Sequence, residues 1–176
     1  MEQEIQDVSI KRIQEALPLL KGIENDLIID YTEYSMPNDK HPIHRYPIRF
    51  DGLYIGLREK GEARFSINLK EFNVGSNDLV ICSPGDLVQA SLQDGIHLVQ
   101  SMMVSSHFLK EMYISLNSFM PFFASQKEHP VFHLTDSEMA ELKNYFMLIK
   151  ENVTSDDYFR VDTTKRLLAA YLYKLG

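Results

Sequence analysis

The sequence predicts a mainly β protein with added helices, in which a small antiparallel sandwich or barrel is followed by a C-terminal helical segment. Three observations predict it. Residues 52–86 form short apolar stretches parted by Gly61, by Gly75 and by Pro84-Gly85, the spacing of short strands and tight turns. Ala63-Arg64-Phe65-Ser66-Ile67-Asn68-Leu69-Lys70 alternates apolar and polar residues, as a strand with one buried face must. From about Ser106 onward the apolar residues instead recur three and four apart, which is helix spacing.

Taken in order, Ile10, Ile13, Leu17 and Leu20 predict a short amphipathic helix within Ile5 to Leu20, limited by Pro18. Leu27 to Tyr31 reads as a first strand, and Met36 to Pro42 as a loop rich in turn residues. The β region proper runs from about Ile43 to Val104. Within it Leu53 to Arg58, Ala63 to Lys70, Leu79 to Cys82 and Ile96 to Val104 are strands. This divides the chain into a helical lead-in (1–25), a β-barrel (26–104) and a helical segment (105–176).

In the tail, Phe108, Met112, Leu116 and Met120 keep helix spacing, with Phe119, Phe122 and Phe123 around Pro121; core packing is their expected role. Pro130 makes His129 to His133 extended rather than helical. Thr135-Asp136-Ser137-Glu138 has the form of a capping box and predicts a helix start. Met139, Leu142, Phe146, Ile149 and Val153 then form one apolar seam, and Val161, Thr164, Leu168, Tyr171 and Leu175 a second. Two such seams suit an antiparallel helical pair, packed on the barrel or on a partner subunit. On the second reading Val161, Leu168, Tyr171 and Leu175 are dimer contacts; the plainer alternative is an intrachain hairpin.

A net charge of −7, with Lys and Arg scattered, argues against this chain gripping nucleic acid itself. No segment approaches the roughly 18 apolar residues of a membrane span. The acidic start, Met1-Glu2-Gln3-Glu4, lacks the pattern of a signal peptide, so a cytoplasmic protein is expected. The lone cysteine, Cys82, lies in an apolar run and is expected to be buried and inert.

The order of strand, Lys60-Gly61-Glu62, strand, polar turn at Gly75, Asp78-Leu79-Val80-Ile81 and Pro84-Gly85 resembles the cupin barrel of AraC-type transcriptional regulators, where it is the N-terminal regulatory domain. The helical tail after the strand ending at Val104 matches the helical dimerisation segment of such regulators. The resemblance implies a jelly-roll, cupin-like barrel that takes a small-molecule effector such as a sugar, and a homodimer. DNA contact would belong to a C-terminal domain with paired helix-turn-helix units, to which nothing in this sequence corresponds. The chain ends after Ala169-Ala170-Tyr171-Leu172-Tyr173-Lys174-Leu175 in mid-helix and reads as cut from a longer one, although Gly176 would also serve as a C-cap.

The alternative is a stand-alone cupin enzyme, an isomerase or oxygenase. Its usual metal ligands are a His-x-His pair, a Glu and a later His. Here His41-Pro42-Ile43-His44 has the wrong spacing for one strand face, and Val88 stands where many relatives have histidine. No cofactor, metal or catalytic residue is therefore expected.

Candidate ligand contacts are His44, Arg45 and Tyr46, entering from the loop, Tyr54 and Arg58, sharing one strand face, and Gln89 and Gln100 on the later strands. Arg and Gln give directional hydrogen bonds and Tyr rings stack on apolar sugar faces. Each taken alone has a plainer role in solvent or core. His97, His107, His129 and His133 are expected to be surface or hydrogen-bonded core residues. Ala90 and Val99 fall where the family's arabinose-sensing member has polar or aromatic contacts, which leaves the ligand open.

Overall fold

The computed structural model describes residues 5–35, 42–44, 46–112, 114 and 116–176. Arg45, His41 and the loop residues 36–40 lie outside the described residues, as do the side chains of Leu116 and Met120.

Eleven strands are described: β1 (Gln6–Val8), β2 (Lys21–Ile23), β3 (Leu27–Ser35), β4 (Ile48–Phe50), β5 (Gly52–Lys60), β6 (Ala63–Ile67), β7 (Lys70–Val74), β8 (Asp78–Cys82), β9 (Leu87–Leu92), β10 (Ile96–Ser105) and β11 (Val131–His133). They form two sheets, a five-stranded one in the order β1-β4-β9-β6-β7 and a six-stranded one in the order β11-β8-β5-β10-β3-β2. Every pairing is antiparallel except β1 with β4. The helices are α1 (Ile10–Ala16), α2 (Ser106–Glu111), α3 (Leu116–Glu128), α4 (Asp136–Val153) and α5 (Arg160–Leu175). The fold is mainly β with a helical tail, as expected, and its strands form two facing, largely antiparallel sheets.

Two cores explain the layering. Between the sheets lie Ile28, Ile48, Phe50, Phe65, Ile67, Val80, Cys82, Val88 and Met103, closed at one end by Ile10 and Ile13 of α1. On the other face of the six-stranded sheet, Leu27, Ile29, Leu53, Ile55, Leu57, Leu79, Ile81, Met102 and Val104 meet the helices. That sheet is therefore covered on both sides, which is why Leu79-Val80-Ile81-Cys82 is apolar without alternation. Cys82 is buried, and desolvation pushes its thiol pKa up, so it stays a neutral thiol as expected.

The N-terminal helix is shorter than its spacing predicted. It spans Ile10–Ala16, capped by the Ser9 side chain, and Gln6–Val8 before it is a strand, paired in parallel with β4. The alternating run from Ala63 to Lys70 is not one strand. Asn68 and Leu69 take φ of 50° and 69°, folding it into the β6–β7 hairpin. Asn68 tolerates this because its side chain is held, donating to Asp86 at 2.8 Å and accepting from the Leu87 backbone N–H at 3.0 Å. The breaks at Gly75 to Asp78 and at Pro84-Gly85 stand as expected, with Asn77 and Gly85 at positive φ.

In the tail, Pro130 does make the next residues extended: Val131–His133 adds β11 to the edge of β8. The capping box is present in full. The Glu138 backbone N–H donates to Thr135 Oγ1 at 3.2 Å, and the Thr135 N–H donates to the Glu138 carboxylate at 2.8 Å. That hydrogen bond holds the Glu138 carboxyl below its usual pKa. Met139, Leu142, Phe146, Ile149 and Val153 are all buried, as their spacing predicted. Phe108, Met112 and Phe119 are buried too, while Phe122 and Phe123 pack half-buried beside them. Pro121 sits inside α3.

The helical pair α4–α5 is an intrachain hairpin lying on the six-stranded sheet. Asn152 near the end of α4 donates to Thr164 Oγ1 at 2.7 Å, and Lys174 near the end of α5 pairs with Glu141 at 2.9 Å, fixing the antiparallel register. This changes the reading of the second seam. Leu168 and Tyr171 are 0% exposed within the single chain, so neither offers surface to a partner subunit. Val161 and Leu175, the other two residues assigned to a dimer contact, keep partial exposure.

Candidate functional site

Alternation along β5 places its residues on two opposite surfaces. Leu53, Ile55 and Leu57 face the helices, while Tyr54, Gly56 and Arg58 face the space between the sheets. Tyr54 and Arg58 thus share one face, as their spacing required. Gly56 makes room between them: a Cβ there would stand 2.6 Å from the Tyr54 hydroxyl, so the phenol lies along the strand in the direction of Arg58. Its ring packs at a tilt against Phe65, 6.4 Å between centroids.

Arg58 is the unusual group. It is only 4% exposed, yet its guanidinium meets the Nδ1 of His97 through Nη1 at 2.8 Å while its Nε is buried with no hydrogen-bond partner. Arginine stays protonated, so Nδ1 of His97 must accept. The ring proton is then on Nε2, which donates to the Gln93 carbonyl at 2.7 Å. His97 is accordingly neutral and fully buried, a hydrogen-bonded core histidine as expected. It is also wedged from behind. Gly61, at φ 88°, approaches so closely that a Cβ would stand 2.5 Å from His97 Nδ1, which only glycine permits.

His44, in a 3₁₀ turn at Pro42–His44, reaches the same region from the other sheet and donates through Nδ1 to the Ala90 carbonyl at 3.2 Å. Its pKa is lowered, first by desolvation; the Ala90 hydrogen bond opposes this, and Arg58 and His97 add to it. Tyr46 is half-buried against the inter-sheet core. Three of the seven expected ligand contacts, His44, Tyr54 and Arg58, therefore converge with Tyr46 beside them, and Arg45 lies outside the described residues.

The two glutamines go elsewhere. Gln89 sits between Val88 and Ala90, both in the inter-sheet core, so it points out of the five-stranded sheet. Gln100, between Val99 and Ser101, points with Met102 toward the helices. It is 1% exposed and joins a second polar group there. Gln100 Nε2 donates to Glu59 at 3.1 Å, the Tyr31 hydroxyl donates to Glu59 at 3.4 Å, and Lys143 of α4 pairs with Glu59 at 2.9 Å. This network was not foreseen. Its only sequence signal was a Glu next to an inward-facing Arg on an otherwise apolar strand.

Hollows lie away from this group, two of them beside the tail helices. One of about 390 Å³, between β8, β11 and the helices, is lined by Phe122, Phe132, Glu138, Glu141 and Lys174. The other, of about 370 Å³, is apolar around Pro84, Leu109, Ile114 and Phe123, with Lys110 and Lys127 at its edge. Val88 is buried and pairs with Ile48 and Ile67. Among the described residues no three His, Cys, Asp or Glu side chains are grouped to hold a metal ion, and no helix is long and apolar enough to cross a membrane.

No protein-family model matches the chain, and no curated protein matches it. Among solved structures it is similar to the AraC-like transcriptional activator CuxR, at 16% identity over 84% of this chain and 52% of that one, with a TM-score of 0.46. It is similar to ToxT from Vibrio cholerae at 11% identity over 88% of this chain and 57% of that one, with a TM-score of 0.48. A cupin superfamily protein from Desulfitobacterium hafniense is similar at 12% identity over 50% of this chain and 75% of that one, with a TM-score of 0.36. The chain spans about half the length of the two regulators.

Proposed function

We propose that this chain is the effector-sensing part of an AraC-type transcriptional regulator. It takes a small molecule, such as a sugar or sugar derivative, between its two sheets in the cytoplasm, and DNA contact belongs to a C-terminal domain outside this chain. The observation that carries the reading is the polar group at the heart of an otherwise apolar sandwich: Arg58, His97, His44 and Tyr54 are hydrogen-bonding side chains gathered where packing alone would favour aliphatic ones. A jelly roll with its helical tail laid on one sheet also fits the motif order of that family. The arrangement supplies the directional hydrogen bonds that holding a small polar molecule needs.

Dimerisation forms part of the proposal, through the outer faces of the tail helices. Leu148 of α4 and Phe159 and Tyr173 beside and on α5 are 52%, 65% and 54% exposed, and supply apolar surface that the buried seam does not.

Two measurements test the reading. The coding sequence beyond the codon for Gly176 should continue into a basic segment with two helix-turn-helix patterns. Purified chain should be stabilised by at least one small molecule from a metabolite panel in thermal unfolding. A stop codon at that point, together with stoichiometric iron, manganese or zinc in the purified protein, would replace this reading with the enzyme.

A further inference from the structure

Arg58 carries a full positive charge in a place where charge is costly. Burying a charge is tolerated where it is paired and hydrogen-bonded. Among the described residues no Asp or Glu oxygen lies within ion-pair distance of its guanidinium. Glu59, next in sequence, points to the opposite face and is engaged by Lys143. Asp30 shares the inner face but stands level with Gly56, through Ser101, and makes no ion pair with Arg58. The acceptor present is the neutral His97 ring, which satisfies one of five N–H donors, and Nε has no partner. A planar guanidinium in this state presents the fork that matches a carboxylate or phosphate with two parallel hydrogen bonds. The position is also held: His97 is pinned between Arg58, the Gln93 carbonyl and Gly61, so the fork is aimed before anything binds.

We propose that Arg58 is the anchor for an oxyanion on the effector, so that the molecule taken up between the sheets carries a carboxylate or phosphate group. The assignment rests on the reading that an effector binds between the sheets. Tyr54, on the same face, lies over Gly56 toward that group and adds a hydroxyl beside it.

The test is thermal unfolding of the whole chain at constant ionic strength in sodium chloride, with inorganic phosphate, acetate or neutral glucose added in turn. Wild type is compared with Arg58→Met, which keeps an unbranched stem and removes the charge. Phosphate or acetate should raise the wild-type Tm above the chloride control, by about 5–10 °C at a hundredfold excess over Kd. Arg58→Met should lose that rise, and in chloride should be at least as stable as wild type, because a buried cation without a counter-charge has been removed. A response to phosphate alone or to acetate alone assigns the head group. The proposal is overturned if neither anion raises the wild-type Tm, if Arg58→Met responds equally, or if Arg58→Met is several degrees less stable in chloride, which would make the guanidinium structural. Stabilisation by glucose in both proteins would leave the binding reading standing and remove only the acidic group.

Discussion

Leu168 decides whether the second helical seam belongs to the fold or to a subunit interface, and Leu168→Ala separates the two. The side chain is 0% exposed, held between α4 and the six-stranded sheet, beside Tyr171 and Leu172, which are equally enclosed. The change deletes three carbon atoms, worth about 2.4 kcal/mol of transfer at ~0.8 kcal/mol each. The site is walled by a helix and a sheet that cannot collapse onto it, so a cavity remains and brings the loss to about 3–4 kcal/mol. For a chain of this length that lowers Tm by roughly 6–16 °C. Urea unfolding followed by circular dichroism, at low and at high protein concentration, measures it. The midpoint should fall by the same amount at both concentrations. A loss below about 1 kcal/mol, or a midpoint that depends on protein concentration in wild type and not in the variant, would refute the intrachain assignment. Leu168→Glu or Tyr171→Glu is for the same reason expected to unfold the chain rather than release monomers.

Three other outcomes are expected. Because burial lowers the folded-state pKa of His44, the unfolded chain takes up that proton first, so stability is full above about pH 6.5 and is lost as pH falls below it; His44→Gln should reduce that slope in urea titrations run from neutral to mildly acidic pH. Thr135→Ala should cost about 1 kcal/mol through loss of the α4 cap, whereas Thr135→Ser should keep most of it, both read from denaturant midpoints. Gly61→Ala should cost about 2–4 kcal/mol, since φ is 88° and the new Cβ meets both His97 and the Ile96 carbonyl; a neutral result would mean that His97 is free to move aside.

Strands β5 and β8 and the start of β6 were legible because glycine turns at Gly61, Gly75 and Gly85 bound them, and α4 because its cap and its seam agree. What escaped has physical reasons. β1 and β11 are three residues each and owe their strand form to distant partners, β4 and β8, which no local pattern announces. The hairpin at Asn68-Leu69 was hidden because alternation continues through a two-residue turn. For the site, Tyr54 and Arg58 could be placed together by parity alone. Gln100 could not be aimed, because β10 is buried on both faces and periodicity does not say which face looks at the other sheet. The seam of α5 shows the same ambiguity, since an apolar stripe reads alike whether it covers a sheet or a second subunit.

Arg58 and Glu59 are consecutive residues of one strand, the first turned to the sheet interior and the second tied to α4 through Lys143. The peptide unit between them is rigid, so a tilt of the strand at this point moves the roots of both side chains together. An occupant that tilts the strand on one surface would therefore shift the attachment point on the other, across the thickness of a single backbone. Thermodynamic reciprocity then fixes the exchange rate: whatever factor an occupant of the interior imposes on the seating of α4, a partner that pulls on α4 must return to the occupant in full.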